Sequence, residues 1–338
     1  MVPAITEFAD VCACKKTGDS GFMNFAKTTL LTSGIATAFT LFACQAHRLT
    51  PSEGYVNVTG GRVWYRIVGS GSRTPLLVVN GGPGNSSHYV KPLSALADER
   101  PVILYDQLGC GRSDRPDDTT LWRTERFVEE VAQIRKALGL EEVHLYGHSW
   151  GTMLAVDYML TKPKGIKSLI LASPALSVSR WVQDANNLLA TLPDSIQEVI
   201  RKGEREETTD SPEYQSAMMS YYHQFLARKL PWSADFDSSI SQGNAAVYAY
   251  MWGPSELQCS GTLRNYDRTA ELNTISVPVL FTTGQFDEAT PQTVKYYQSL
   301  IPGAELAILP NCAHLTMHDD PAANNQVLRE FMNRIDAR

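Results

Sequence analysis

The 338-residue sequence lacks an excess of basic charge, a cysteine framework and any long apolar run, and each lack closes off a class of function. Lys and Arg number 30 against 36 Asp and Glu, a formal net charge of −6, which is the wrong sign for a nucleic-acid footprint. The 6 cysteines, at 12, 14, 44, 110, 259 and 312, form no C-x-x-C pair and are too sparse for a disulfide scaffold, so a structural metal is not expected. No repeat or low-complexity tract marks a solenoid or a linker. What remains is a globular composition, 43% hydrophobic and 20% charged, at a length that suits one large α/β core with an insertion.

The first 53 residues read as leader and linker. Met23-Asn-Phe-Ala-Lys27 followed by "TTLLTSGIATAFTLF" has the charged start and short apolar run of an export signal, and is too short and threonine-rich for a membrane span. The run ends in "LFAC", which resembles the lipobox of bacterial lipoproteins. Met23 is then a candidate start, and Cys44 a candidate lipid attachment site on a periplasmic or outer-membrane lipoprotein. The alternative is a leader on a cytoplasmic enzyme.

From residue 54, strand and helix patterns alternate. "VWYRIVG", "PLLVVN" and "PVILYD" read as strands, Leu121 to Leu138 as a helix, then "VHLYG", a helix from about 151, and "KSLILAS". Such alternation predicts an α/β fold, a mainly parallel sheet flanked by helices, with 54–176 as its first part. Over 177–273 no strand is evident, and Tyr214, Met218, Tyr221, Tyr222 and Phe225 recur at helical spacing, the pattern of a core stripe in a helical cap. The sheet resumes over 274–338 with "VPVLFTTG" and "ELAILP", so the cap precedes the strand "VPVLFTTG".

Gly147-His148-Ser149-Trp150-Gly151 joins a predicted strand to a predicted helix and fits G-x-S-x-G. In such an elbow the serine occupies a strained turn that aims it off the sheet edge, with a helix N-terminus behind it, the placement of a nucleophile. A triad on this framework runs serine, acid, histidine along the chain. Of the histidines only His314 and His318 come late enough. His314 directly follows "ELAILP" and is the expected base, while His318 precedes the last helix beside Asp319 and Asp320. The loop after "KSLILAS" holds no carboxylate, whereas "QFDEATP" follows "VPVLFTTG", which makes Asp287 the expected acid. For the oxyanion, the glycine-rich "VVNGGPGNSS" offers a backbone N–H, that of Gly82, to pair with the N–H of Trp150.

Taken together, "NGGPG", "YDQLGCGRSDRP", "GHSWG", "MWGPSELQCSGTL", "FDEATP" and "CAHLTMHDDP" resemble the prolyl aminopeptidase (proline iminopeptidase) family of α/β-hydrolases, over about residues 54 to 335. The family usually has histidine where Asn80 stands. The resemblance implies a cap inserted before the strand that carries the acid, and a substrate amine held by Glu256 in "GPSEL" and by Glu288 beside the acid. A buried ammonium needs such carboxylates to offset its desolvation. The expectation is a serine aminopeptidase that needs no cofactor. It releases an N-terminal residue, proline favoured, from small peptides or amino-acid amides with a free N-terminus. An L-amino-acid amidase on the same scaffold, a carboxylesterase or lactonase, and a catalytically silent binding module are the alternatives.

Overall fold

The computed structural model describes residues 48–338, which fall within one compact unit. The leader, with Met23, Cys44 and Gln45, lies outside the described residues. An eight-stranded sheet has the order β1-β2-β4-β3-β5-β6-β7-β8. Its strands are β1 (Ser52–Val58), β2 (Gly61–Val68), β3 (Leu76–Val79), β4 (Val102–Tyr105), β5 (Val143–His148), β6 (Ile166–Ala172), β7 (Val279–Gly284) and β8 (Glu305–Leu309). β2 runs antiparallel to both its neighbours, and every pairing from β4 to β8 is parallel.

Strands β3, β4 and β5 are buried along their whole length, which is why they read as unbroken apolar runs. Their two faces still separate with period two. Leu77, Val79, Ile103 and Leu145 join one core with Val131 and Ile134 of α1 (Thr124–Ala137) and Met153 of α2 (Trp150–Leu160). Leu76, Val78, Val102 and Leu104 face a second core, with Leu93 and with Leu328 and Phe331 of α10 (Pro321–Asp336). β1 escaped the sequence reading because "SEGYVNV" is mostly exposed and polar, as befits an edge strand. A 3₁₀ helix over Ser87–Asp98, with Pro92 inside it, was not predicted either.

Between β6 and β7 no strand of the sheet forms, and the α-helices there are α3 (Val178–Leu189), α4 (Asp194–Glu206), α5 (Pro212–Phe225), α6 (Ala234–Ser241) and α7 (Ala245–Met251). Tyr214, Met218, Tyr221 and Phe225 of α5 pack with Leu189, Ile200 and Leu257 in a third core, so the aromatic stripe is cap interior. Tyr222 lies at the margin of that cluster. Two backbone bonds tie the end of α5 to the loop after β8, His314 N–H to the Phe225 carbonyl (3.1 Å) and Leu315 N–H to Leu226 (2.8 Å). Two short elements complete the sheet's return, α8 (Pro291–Ser299) and α9 (Thr316–Asp319).

Candidate active site

Loops leaving the carboxyl ends of the parallel strands converge at one edge of the sheet, the usual position of a site in an open α/β fold. Ser149 stands between β5 and α2 with φ 53° and ψ −123°, a backbone state that costs about 1–3 kcal/mol for a residue with a side chain. The flanking glycines make the turn feasible. A Cβ on Gly151 would sit on the Val79 carbonyl oxygen, and one on Gly147 would meet the carbonyl of Gly151. The neighbouring glycine-rich loop presses against the serine, since a Cβ on Gly81 would come within 3.0 Å of the Ser149 Cβ.

The structure brings Asp287 and His314 together. Asp287 Oδ1 takes the Nδ1 edge of the His314 ring at 2.8 Å, with both side chains buried. Three further donors hold the carboxylate. Ser173 Oγ (2.6 Å) and the Gly284 N–H (3.2 Å) reach Oδ2, and the Ala289 N–H reaches Oδ1 at 2.8 Å, while the Thr283 hydroxyl lies between Oδ2 (3.0 Å) and the Ala289 carbonyl (2.8 Å). Burial alone would raise this carboxyl, but His314 beside it and these hydrogen bonds bring it below the usual range, so it remains charged. Ser173 and Thr283 were not picked out from the sequence. Ser173, at φ 47°, ends the loop-facing side of β6, and only the fold shows that its hydroxyl reaches 114 positions along the chain.

His318 is placed elsewhere. Its Nε2 donates to the Tyr89 carbonyl at 2.6 Å and its Nδ1 meets Ser233 Oγ at 2.9 Å, so it braces the 3₁₀ helix and the cap rather than Asp287. Asp319 accepts the N–H groups of Arg228 and Lys229, each at 2.8 Å, in the turn that follows α5 of the cap.

One side chain not singled out in the sequence bridges the two segments that carry the expected oxyanion donors. Gln107, after β4, donates to the Asn80 carbonyl at 2.7 Å and accepts from the indole N–H of Trp150 at 3.0 Å. Asn80, fully buried, donates to the Gly81 carbonyl (3.1 Å) and to the Asn85 carbonyl (2.8 Å). The peptide plane whose carbonyl Asn80 holds carries the Gly82 N–H on its other side. Trp150 is the first residue of α2, so its N–H has no intrahelical acceptor. The asparagine that stands where the family has histidine therefore fixes the loop by its own hydrogen bonds.

Glu288 is 1% exposed, and its Oε1 lies 3.8 Å from His314 Nε2. Burial pushes its carboxyl well above the usual range, and the charges of Glu256 and Asp287 push the same way. Glu256 comes from the cap on a tight turn, where Ser255 pairs with Gln258 and the Trp252 indole N–H donates to the Ser255 carbonyl at 2.9 Å. Burial raises its carboxyl too, opposed by the Tyr248 hydroxyl, which donates to Oε1 at 2.7 Å. Glu288 Oε2, Tyr221 Oη and Trp181 Nε1 are buried without a hydrogen-bond partner among the described residues. Groups of that kind inside a native fold call for a ligand or ordered water. The Trp181 ring packs edge-on against His314 at 5.5 Å and against Trp252 at 5.9 Å, giving the site an aromatic wall.

A strained serine at a strand-to-helix elbow, with an Asp–His pair on the later loops, defines a serine hydrolase of the α/β-hydrolase class. In agreement, residues 74–321 match the family model for the alpha/beta hydrolase fold. A curated proline iminopeptidase from Heyndrickxia coagulans is 49% identical over 288 residues, which cover 84% of this chain and 99% of the relative. Among solved structures, VinJ superposes with a TM-score of 0.82 at 32% identity, over 85% of this chain and all (100%) of that one. The proline iminopeptidase of Mycobacterium smegmatis gives 0.79 at 32% identity, over 85% and 99% of the two chains. The chain belongs to the proline iminopeptidase family of α/β-hydrolases.

Proposed function

We propose that this chain is a serine aminopeptidase that releases an N-terminal residue, preferably proline, from small peptides or amino-acid amides. The observation that carries the reading is a pair of acidic side chains, Glu288 buried beside the Asp287–His314 couple and half-buried Glu256 offered from the cap. Two carboxylates with no Lys or Arg paired to them among the described residues are costly to bury, and a substrate ammonium offsets that cost. A prolyl N-terminus, a secondary ammonium, carries two N–H donors, which matches two carboxylates without leaving a third donor unpaired. The names of the similar relatives point the same way.

Ser149 then attacks the scissile carbonyl and His314 takes its proton, oriented by Asp287. The N–H groups of Gly82 and Trp150 receive the oxyanion, His314 protonates the leaving amine, and water hydrolyses the acyl-enzyme by the same route in reverse. The test is a panel of aminoacyl anilides and amides with free and acetylated amines, run on purified protein. Turnover confined to free amines supports the reading, and equal turnover of acetylated substrates favours an esterase.

For location, we propose an exported lipoprotein whose mature chain starts at lipidated Cys44. The "LFAC" motif after an apolar run supports this, and Gln45 supplies no charge for inner-membrane retention. No helix among the described residues is long and apolar enough to cross a membrane, so attachment would rest on the lipid. Mass spectrometry of the protein from its own host decides: a lipid-modified N-terminal Cys44 supports the proposal, and an unmodified upstream terminus refutes it.

A further inference from the structure

His148, which precedes the serine of the elbow, is buried, and both of its ring nitrogens are engaged. Nε2 lies 3.0 Å from the carbonyl oxygen of His314, and Nδ1 lies 3.0 Å from the hydroxyl of Tyr89. A carbonyl only accepts, so Nε2 must carry the proton, and Nδ1 must accept from the Tyr89 O–H. The Tyr89 oxygen in turn accepts the backbone N–H of Gly81 in a short hydrogen bond. Every proton in the chain is thereby assigned, from Gly81 N–H through Tyr89 and His148 to the His314 carbonyl. Burial, reinforced by His314 nearby, lowers the His148 ring to about 3, which keeps it neutral at any working pH. The far side of Tyr89 is fixed as well, through His318 on its carbonyl at 2.6 Å.

We propose that Tyr89 and His148 are positioning residues, a neutral two-side-chain strut that sets the oxyanion loop at Gly81–Gly82 against the backbone of His314. The inference rests on the triad and oxyanion reading above. Its physical content is that donor and base approach one substrate carbonyl from two loops that the sequence places more than two hundred residues apart, and a single hydrogen-bonded chain spans them. Ser173 Oγ also reaches the His314 carbonyl (3.0 Å), but its one proton lies nearer Asp287 Oδ2 at 2.6 Å, which leaves His148 as the committed donor.

The test uses Tyr89→Phe, which removes one hydroxyl, and His148→Gln, whose amide can still reach the His314 carbonyl but no longer accepts from Tyr89. Each should lower kcat roughly 10- to 100-fold, with KM within about threefold of wild type, because misplacement by a fraction of an ångström is felt in the transition state. A free-amine amino-acid aldehyde, whose hemiacetal with Ser149 puts an oxyanion between Gly82 and Trp150, should bind more weakly by about the same factor. The free amino-acid product should bind unchanged. Because both variants break one link, the double variant should be no slower than the slower single one. Ring-nitrogen NMR should show His148 neutral with the proton on Nε2. Wild-type kcat in both variants, losses that multiply in the double variant, or equal weakening of aldehyde and product would overturn the strut. The triad reading fails separately, if Ser149→Ala retains turnover.

Discussion

Glu288 Oε1 lies 3.8 Å from His314 Nε2, while the adjacent residue, Asp287, takes Nδ1 of the same ring at 2.8 Å. Consecutive carboxylates thus address opposite edges of one imidazole, and their environments divide the work. Asp287 is surrounded by donors and held charged. Glu288 Oε2 makes no hydrogen bond of ordinary length, and burial with the Glu256 and Asp287 charges outweighs the nearby Tyr221 hydroxyl and pushes the group towards its neutral form.

This division gives the first prediction. Asp287→Asn should cost on the order of 10⁴-fold in kcat for every substrate, through the wrong imidazole tautomer. Glu288→Gln and Glu256→Gln should each cost about 1.5–3 kcal/mol, roughly 10- to 150-fold in kcat/KM, for aminoacyl substrates alone. A simple ester without an amine should be nearly unaffected. Equal losses on amine and ester would mean that these glutamates support the fold or His314 instead.

Substrate binding should release a proton. Burial and the Glu256 and Asp287 charges favour the protonated form of Glu288 in the free protein, and a bound ammonium reverses that balance. Calorimetry of Ser149→Ala with a prolyl amide, in buffers of different ionisation enthalpy, reads the proton directly. Heats independent of the buffer would contradict the expected release.

The same shift sets the pH dependence of stability. A group whose folded pKa lies above its unfolded value stabilises most at low pH and loses that contribution as pH rises through the folded pKa. Glu288→Gln, which cannot ionise, should therefore melt about 2 °C or more above wild type at neutral pH, with the gap closing as pH falls to the ordinary carboxylate range near 4.5. A variant less stable than wild type at neutral pH would show that the charged form is favoured by contacts not seen among the described residues.

Gly151→Ala should not fold stably. The added methyl would overlap the Val79 carbonyl oxygen on the neighbouring strand, a backbone clash with no side chain to yield, and a cost of about 3 kcal/mol or more is expected. Thermal denaturation checks it, and a wild-type melting temperature would mean that β3 and the elbow are not packed as described.

How far the sequence carried depended on whether a residue's role was local. Strands β3 to β7 announce themselves because both of their faces are buried, and the elbow because strain, glycines and chain order coincide in five residues. β1 stayed hidden because its pairing with β2 leaves it exposed and polar. Asp287 and His314 were legible from their place after strands. Gln107, Ser173 and Tyr89 were not, because each acts through partners 43, 114 and 59 positions away, across loops whose meeting only the fold decides. Glu256 and Glu288 came from the family resemblance alone. The burial of Glu288 beside His314 supplies a physical reason that a pattern of residues could not.

The role proposed for Glu256 and Glu288 is to hold a free substrate amine while Ser149 acts on its carbonyl. The most direct measurement is kcat/KM of the wild-type protein for a prolyl anilide and for its N-acetyl counterpart under the same conditions. Two charge-assisted hydrogen bonds lost together should favour the free amine by roughly 100-fold or more. Comparable values for the two substrates would contradict the account.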